Sequence, residues 1–581
     1  MTAIRRTCVA ILSSLVAALV SGRSGAVAQR SKAAIADLIV VNGHVYTADG
    51  SHQLQQALGV RGNRIAVVGT NDDVLKWRGP ATQVVDAGGR AVVPGFNDIH
   101  THILSGGLDM ETVNLQGAQT LDEVQLRIRS YAAAHGDLPW IRGRGWGYGA
   151  FPGGVPTRQQ LDAAVPDRPA IMRCFDSHSI WANSKALAAA HITKDTPDPP
   201  NGVIVRDSAT GEPTGLLKER PAMTLLDGVV PKPSRADQRR ALKAAVSEAL
   251  RYGVTGITDA AGTPEDLEVF DDLRRSGELS ARVYYSLLIT PEFTDKDADR
   301  FDAVWRAHPD SPRLKTGLVK MFMDGVIETN TAFMLAPYAN DPSTRGRPNY
   351  SREEFQRIVQ MMDRRSWQIM VHGLGDGAVR MVLDGFEQVA SLNPAPSRGR
   401  RHRVEHIETI DLEDIPRFGK LGVIASMHPG GGFISANPPL SAGTPGFMLG
   451  AWGRNIGPER AARGGMWKSI ADAGGRVVFG SDWPVASLDA MSRITSIAYR
   501  PPRPGGTDQR LSLQSAIEGY TSTAAFASFD EKERGTLAEG KLADVVVLAT
   551  DVFAHPPTTR TDVTVNLTIF DGKVVYRSNA P

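Results

Sequence analysis

Residues 93–102 read VPGFNDIHTH: an apolar run entered through Pro94 and Gly95 and closed by two histidines two positions apart. In an extended strand, residues i and i+2 lie on one face, so His100 and His102 point together. Similar apolar runs recur along the chain. With 91–99 as the first, strands are expected at 254–259, 282–288, 317–323, 368–372, 402–406, 423–428 and 476–481. Helical periodicity fills intervals such as 235–252, 352–365 and 375–392. Strands alternating with helices predict a parallel α/β sheet, and eight such units predict a (β/α)8 TIM barrel. An open doubly wound sheet is the alternative topology, but no G-x-G-x-x-G follows a strand.

The strand ends carry the chemistry. His372 closes the fifth expected strand, His406 closes the sixth, and Asp482 follows the eighth in FGSDWP. Barrel enzymes collect their sites at this C-terminal mouth. Imidazoles and a carboxylate without thiolates predict a divalent metal, zinc first, with manganese, iron or nickel as the other ions such ligands accept. Lys320 lies inside the fourth strand, in LVKMFMD. A buried ammonium there is costly, whereas a lysine carboxylated by CO₂ is a bidentate carbamate able to bridge two metals.

Outside the barrel, residues 37–93 read as short strands broken by turns, among them Asn42-Gly43. Residues 543–548 (ADVVVL) and 563–576, with the turn Asp571-Gly572, have the same texture. One β-sandwich is therefore expected from 37–93 plus 536–578, flanking a barrel over 94–535. Strands one and two are separated by about 150 residues, far beyond an ordinary βα connection, which predicts an inserted subdomain at about 108–230. It contains WIRGRGWGYGAFPGG (140–154), FDSHSIWANSKAL (175–187) and TGLLKER (214–220). Trp140, Trp146, Tyr148 and Phe151 read either as a pocket lining or as the core of that subdomain.

The first 28 residues read as an export signal, with Arg5 and Arg6 before an apolar run and Ala26-Val27-Ala28 as the cleavage site. A periplasmic or secreted protein is expected; Sec and twin-arginine export both stay open. Cleavage takes the formal net charge from +2 to −1, so nothing electrostatic points to a nucleic-acid partner. It leaves Cys174 alone, which excludes an intrachain disulfide and multi-thiolate metal sites. No apolar run approaches the ~20 residues of a membrane span, so no stable membrane insertion is expected after cleavage. The partner is a small-molecule substrate; the sequence assigns no oligomeric state.

These motifs together resemble the amidohydrolase superfamily, in particular the Amidohydro_3 group that includes YtcJ-like proteins and N-substituted formamide deformylases. The matching stretches are VPGFNDIHTH (93–102), WANSKAL (181–187), VKMFMDG (319–325), VHGLGDGA (371–378), RHRVEH (401–406), GSDWP (480–484), Tyr520-Thr521 and GKLADVVVL (540–548). The resemblance implies His100 and His102, with Asp482, on a more buried metal and His372 and His406 on a more exposed one. A carboxylated Lys320 would bridge them; one metal without a carbamate stays open. It further implies Asp482 as the proton acceptor from water and His178 as a substrate or oxyanion contact. Glu219 would approach a metal or pair with Lys218 or Arg220. The implied reaction is hydrolysis of a C–N bond in an amide, formamide or cyclic amide. A deaminase or decarboxylase on the same site, or a non-catalytic binding or regulatory protein, are the alternatives. Two stretches depart from the group: Gln-Pro-x-His becomes His428-Pro429-Gly430-Gly431, and Asp-Gly-Ser becomes Asp324-Gly325-Val326-Ile327-Glu328-Thr329. Both are expected to line the pocket.

Overall fold

The computed structural model describes residues 35–176, 178–429, 451–502, 505–555 and 563–579. The leader read at residues 1–28 lies outside them. Eight parallel strands form the centre, each paired with the next in chain order: β1 (Phe96–Thr101), β2 (Val254–Gly262), β3 (Arg282–Leu288), β4 (Leu314–Phe322), β5 (Gln368–Gly373), β6 (Arg403–His406), β7 (Ile424–Met427) and β8 (Arg476–Phe479). The seam between β8 and β1 is crossed by backbone bonds from Asp482 N to His100 O, 2.8 Å, and from His102 N to Trp483 O, 2.7 Å. The TIM barrel expected from the sequence is therefore present. Strands covered on both faces are apolar throughout rather than alternating; all six residues of β5 are buried.

The expected first strand, 91–99, divides in two. Ala91–Pro94 joins a terminal sheet, pairing with Val545–Leu548, and only Phe96–Thr101 enters the barrel beside β2. Gly95 is the joint. A Cβ there would meet Thr255 Oγ1 at 2.3 Å, so only glycine lets the chain cross between the sheets.

The outer helices bury one stripe each. Arg352–Arg364 starts at Ser351, whose side chain accepts from Glu354 N, and turns Phe355, Ile358, Val359 and Met362 inward. That spacing is the helical period, and each such side chain contributes about 1.5–3 kcal/mol on burial.

Two further sheets come from the chain ends. One orders Arg64–Gly69, Ala57–Arg61, Leu38–Val41 and Gln83–Asp86; the other orders Lys573–Arg577, Val565–Phe570, Val545–Leu548, Ala91–Pro94, His44–Tyr46 and Leu54–Gln55. Leu38, Val40 and Leu58 of the first pack with Val92, Val547 and Leu567 of the second. Arg282 of β3 ties this layer to the barrel: its Nε reaches Asp544 at 2.6 Å and a second nitrogen reaches Asp571 at 3.0 Å. The Arg282 and Asp544 side chains are nearly inaccessible, so removing either partner strands a buried charge, at a cost of about 3–5 kcal/mol.

Between β1 and β2 lies a six-stranded sheet running from Val113–Asn114 to Pro213–Lys218. Trp146, Phe151 and Trp181 pack edge to face in its core, with ring centroids 5.1–6.5 Å apart. The aromatic run is thus mainly subdomain core rather than pocket lining. No helix among the described residues is long and apolar enough to cross a membrane.

Candidate metal centre

Strand β1 delivers its two histidines to the mouth of the barrel. His100 is fully buried and its Nδ1 donates to Glu405 Oε2 at 2.7 Å, leaving Nε2 as the free lone pair. His102 donates from Nδ1 to Ala260 O at 2.7 Å, which aims its Nε2 in the same direction. Asp98, one period earlier on β1, accepts from Ser481 N at 2.8 Å and His100 N at 3.3 Å, so the loop after β8 is clamped against the histidine strand.

That loop carries Asp482. Its backbone sits at φ +56°, a left-handed conformation that costs a non-glycine residue strain and clusters at functional sites. Gly106 makes the room: a Cβ there would meet the Trp483 ring at 2.2 Å. Asp482 Oδ1 consequently lies 3.4 Å from His100 Nε2 and 3.3 Å from His102 Nε2. Bonds of about 2.0–2.1 Å at tetrahedral angles put donors about 3.3–3.4 Å apart, which matches both Asp482 spacings, and the three donor atoms lie within 4.8 Å of one another, close enough to share a divalent ion. Burial pushes the Asp482 carboxyl up, but the hydrogen bond and charge of His102, with His428 and Lys320, outweigh it and hold it below the usual carboxylate range.

His372 at the end of β5 and His406 at the end of β6 pack ring to ring, centroids 4.4 Å apart. His372 Nδ1 and His406 Nε2 are buried and have no hydrogen-bond partner among the described residues. His372 uses its other nitrogen on Gly325 O at 3.2 Å. Burial holds His100, His372 and His406 far below the usual histidine range, so all three are neutral lone-pair donors. His406 has φ +71°. Successive strand residues face opposite sides; the left-handed turn breaks that alternation, and Glu405 and His406 both face the lumen.

Lys320 on β4 is completely buried, with Nζ 3.2 Å from His100 Nε2 and 4.6 Å from the centre of the Phe322 ring. Burial brings its pKa down to about 8, against the pull of Glu405 and Asp482. The structure therefore brings His100, His102, Lys320, His372, His406 and Asp482 to one end of the lumen.

The inserted subdomain covers this end. His178 lies 6.1 Å from His372, ring centre to ring centre, and its Nδ1 donates to Glu219 Oε2 at 2.9 Å. Burial opposes a charged imidazole, but Glu219 prevails and raises His178 to about 9. Glu219 pairs with neither Lys218 nor Arg220; besides His178 it accepts from Thr331 Oγ1 at 2.8 Å. The cleft is lined by Phe175, Asp176, His178, Glu328, His372 and His428 among others. Both departing stretches reach it, through Val326, Glu328 and His428; Gly430 and Gly431 lie outside the described residues.

Two residues escaped the sequence reading. Glu405 orients His100, yet strand alternation placed it on the face opposite His406. His428, noted only as a departure, stands at the end of β7, where its ring lies 4.5 Å from those of His100 and His406. Its strand-end position was the available signal.

The Amidohydrolase family profile matches residues 83–576. Protein LONG AFTER FAR-RED 3 of Arabidopsis thaliana is 30% identical over 89% of this chain and 88% of its own length. The N-substituted formamide deformylase of Arthrobacter pascens is 28% identical over 89% of this chain and 94% of its own. An uncharacterized metal-dependent hydrolase from Pyrococcus furiosus, 23% identical, has the same fold at a TM-score of 0.68 over 88% of this chain and 98% of that one.

Proposed function

Because the chain belongs to the amidohydrolase family, we propose that it hydrolyses the C–N bond of an amide, formamide or cyclic amide of a small molecule. The observation that carries this reading is the set His100, His102 and Asp482, with Asp482 Oδ1 3.3–3.4 Å from both imidazole nitrogens and His372 Nδ1 and His406 Nε2 bare beside them. His100, His102 and Asp482 would hold one ion, zinc by preference; His372 and His406 would hold a second, with Lys320, carboxylated, between the two. A bound divalent ion supplies Lewis acidity and a water whose pKa falls from 15.7 toward ~7.

The protein's own residues do the rest. Asp482 accepts the proton of the attacking water and returns it to the departing nitrogen, so the amine leaves neutral. His178, kept charged by Glu219, donates to the carbonyl oxygen as it turns into an oxyanion. The C–O bond forms, the C–N bond breaks, and the products are an amine and a carboxylate. The deformylase of Arthrobacter pascens supports testing N-substituted formamides first. Residues 1–28 would direct the enzyme to the periplasm or the medium; a native N-terminus at Gln29 would support that, and Met1 on the soluble protein would oppose it.

The test pairs elemental analysis with a screen of formamides, N-acyl amines and cyclic amides. Stoichiometric amine and carboxylate support the proposal. Release of ammonia by ring deamination, or of CO₂, replaces it with a deaminase or a decarboxylase. Metal-loaded protein with no turnover of any acyl substrate points to a binding or regulatory role.

A further inference from the structure

The ligand set implied by the family resemblance leaves one buried imidazole at the barrel mouth without an assignment. His428 follows β7 directly and is 3% exposed. Neither its Nδ1 nor its Nε2 makes a hydrogen bond of good geometry among the described residues, although the Gly480 backbone approaches the ring as an acceptor. A neutral imidazole carries one N–H and one lone pair; the Gly480 contact can serve only the N–H, and a bare buried lone pair is unfavourable. The nearest carboxylate oxygen, Glu405 Oε2, is 3.8 Å away, too far for a hydrogen bond. That oxygen is already committed to His100 Nδ1 and to the Ser426 hydroxyl.

The position of His428 is fixed rather than incidental. Arg493, itself buried, donates to the carbonyl of the next residue, Pro429, at 2.9 Å. The imidazole is thereby held in the same layer as the strand-end histidines. One nitrogen each of His100, His406 and His428 lies within 4.8 Å of the other two. His100 has only Nε2 to offer, and that atom already faces His102 and Asp482. His406 Nε2, by contrast, is bare.

We propose that His428 is a direct ligand of the metal centre, adding an imidazole beside His406. The inference rests on the metal-centre reading above and adds to it one donor, from the strand between His406 and Asp482.

The experiment uses chelator-stripped full-length protein, wild type beside His428→Gln and His428→Ala. Each is titrated with zinc against a chromophoric chelator and with cobalt followed by visible absorption, which reports donor type and number. The expected result is at least about a tenfold loss of affinity for one ion in His428→Gln, since even partners that only orient a ligand cost about 10–100-fold. The cobalt spectrum changes, and added imidazole restores it in His428→Ala. Circular dichroism and the Tm of the metal-free forms are compared first; where His428→Gln does not fold, the imidazole response of His428→Ala decides. Affinity within threefold of wild type together with an unchanged cobalt spectrum overturns the proposal, even where kcat falls. A wild-type protein that binds neither zinc nor cobalt overturns the metal centre as a whole, which is a separate failure.

Discussion

His100 and Glu405 form a hydrogen bond of 2.7 Å between two side chains with no solvent exposure. The carboxylate fixes the imidazole with its proton on Nδ1, so Nε2 faces the centre with its lone pair. Burial raises the Glu405 pKa, while Arg403, Lys320 and Ser426 act against it. Glu405→Gln keeps the shape and loses the charge. Metal affinity is expected to fall about 10–100-fold, the cost seen for such orienting partners. Competitive chelator titration reads this; unchanged affinity would show that packing alone holds His100.

Replacing His372 or His406 by asparagine removes one bare nitrogen from the centre. Metal content and activity are expected to fall together in each variant, because a catalytic site already leaves one position open for water. Mass-spectrometric metal counting beside a rate assay tests it. A variant fully active at full occupancy would remove that histidine from the centre.

Asp482→Asn separates binding from proton transfer. Asparagine still offers an oxygen near His100 and His102 but cannot take a proton from water. Turnover should drop about 10²–10⁴-fold with most of the metal retained. A loss below about threefold reassigns the base.

The His178–Glu219 pair predicts a pH dependence. His178 stands at about 9 in the folded protein, above its ordinary value of 6.5. The stabilisation it brings is complete below 6.5 and is lost as pH rises through about 9. If charged His178 steadies the oxyanion, the alkaline limb of kcat/KM lies near 9 and moves toward 6.5 in Glu219→Gln. An identical limb in that variant would assign the ionisation elsewhere.

Lys320 offers a test of the number of ions. Its buried amine, with a pKa near 8, is nucleophilic toward CO₂. Reconstitution of the stripped protein should quicken with added bicarbonate, and Lys320→Ala should bind one ion or fewer where wild type binds about two. Native mass at Lys320 decides: an unmodified amine in fully active, metal-loaded enzyme leaves a mononuclear mechanism.

How much of this was legible in the sequence depends on what strand geometry encodes. Buried parallel strands are apolar runs, so all eight barrel strands could be placed, and the residues at their ends followed. Where a residue leaves strand geometry, the pattern fails. The left-handed φ at His406 put Glu405 in the lumen against the alternation rule. Gly95 split an unbroken apolar run because the close approach of Thr255 is a tertiary fact. Glu219 looked like a surface charge beside Lys218 and Arg220, since its partner His178 lies 41 residues away along the inserted subdomain. The role of His428 was obscured differently: it was weighed against an expected glutamine rather than by its own place at the end of a strand.

The short strand Ala91–Pro94 sits between His44–Tyr46 and Val545–Leu548. Its second neighbour lies far along the chain, although the strand leads within a few residues to His100. During synthesis one flank of that strand stays bare until the chain has passed Leu548. A premature stop in the final segment would therefore not trim an ornament; it would release an unpaired edge beside the first metal-facing strand. A bare strand edge is a template for pairing with another chain, so loss of that late strand exposes the molecule to association as well as removing support next to His100.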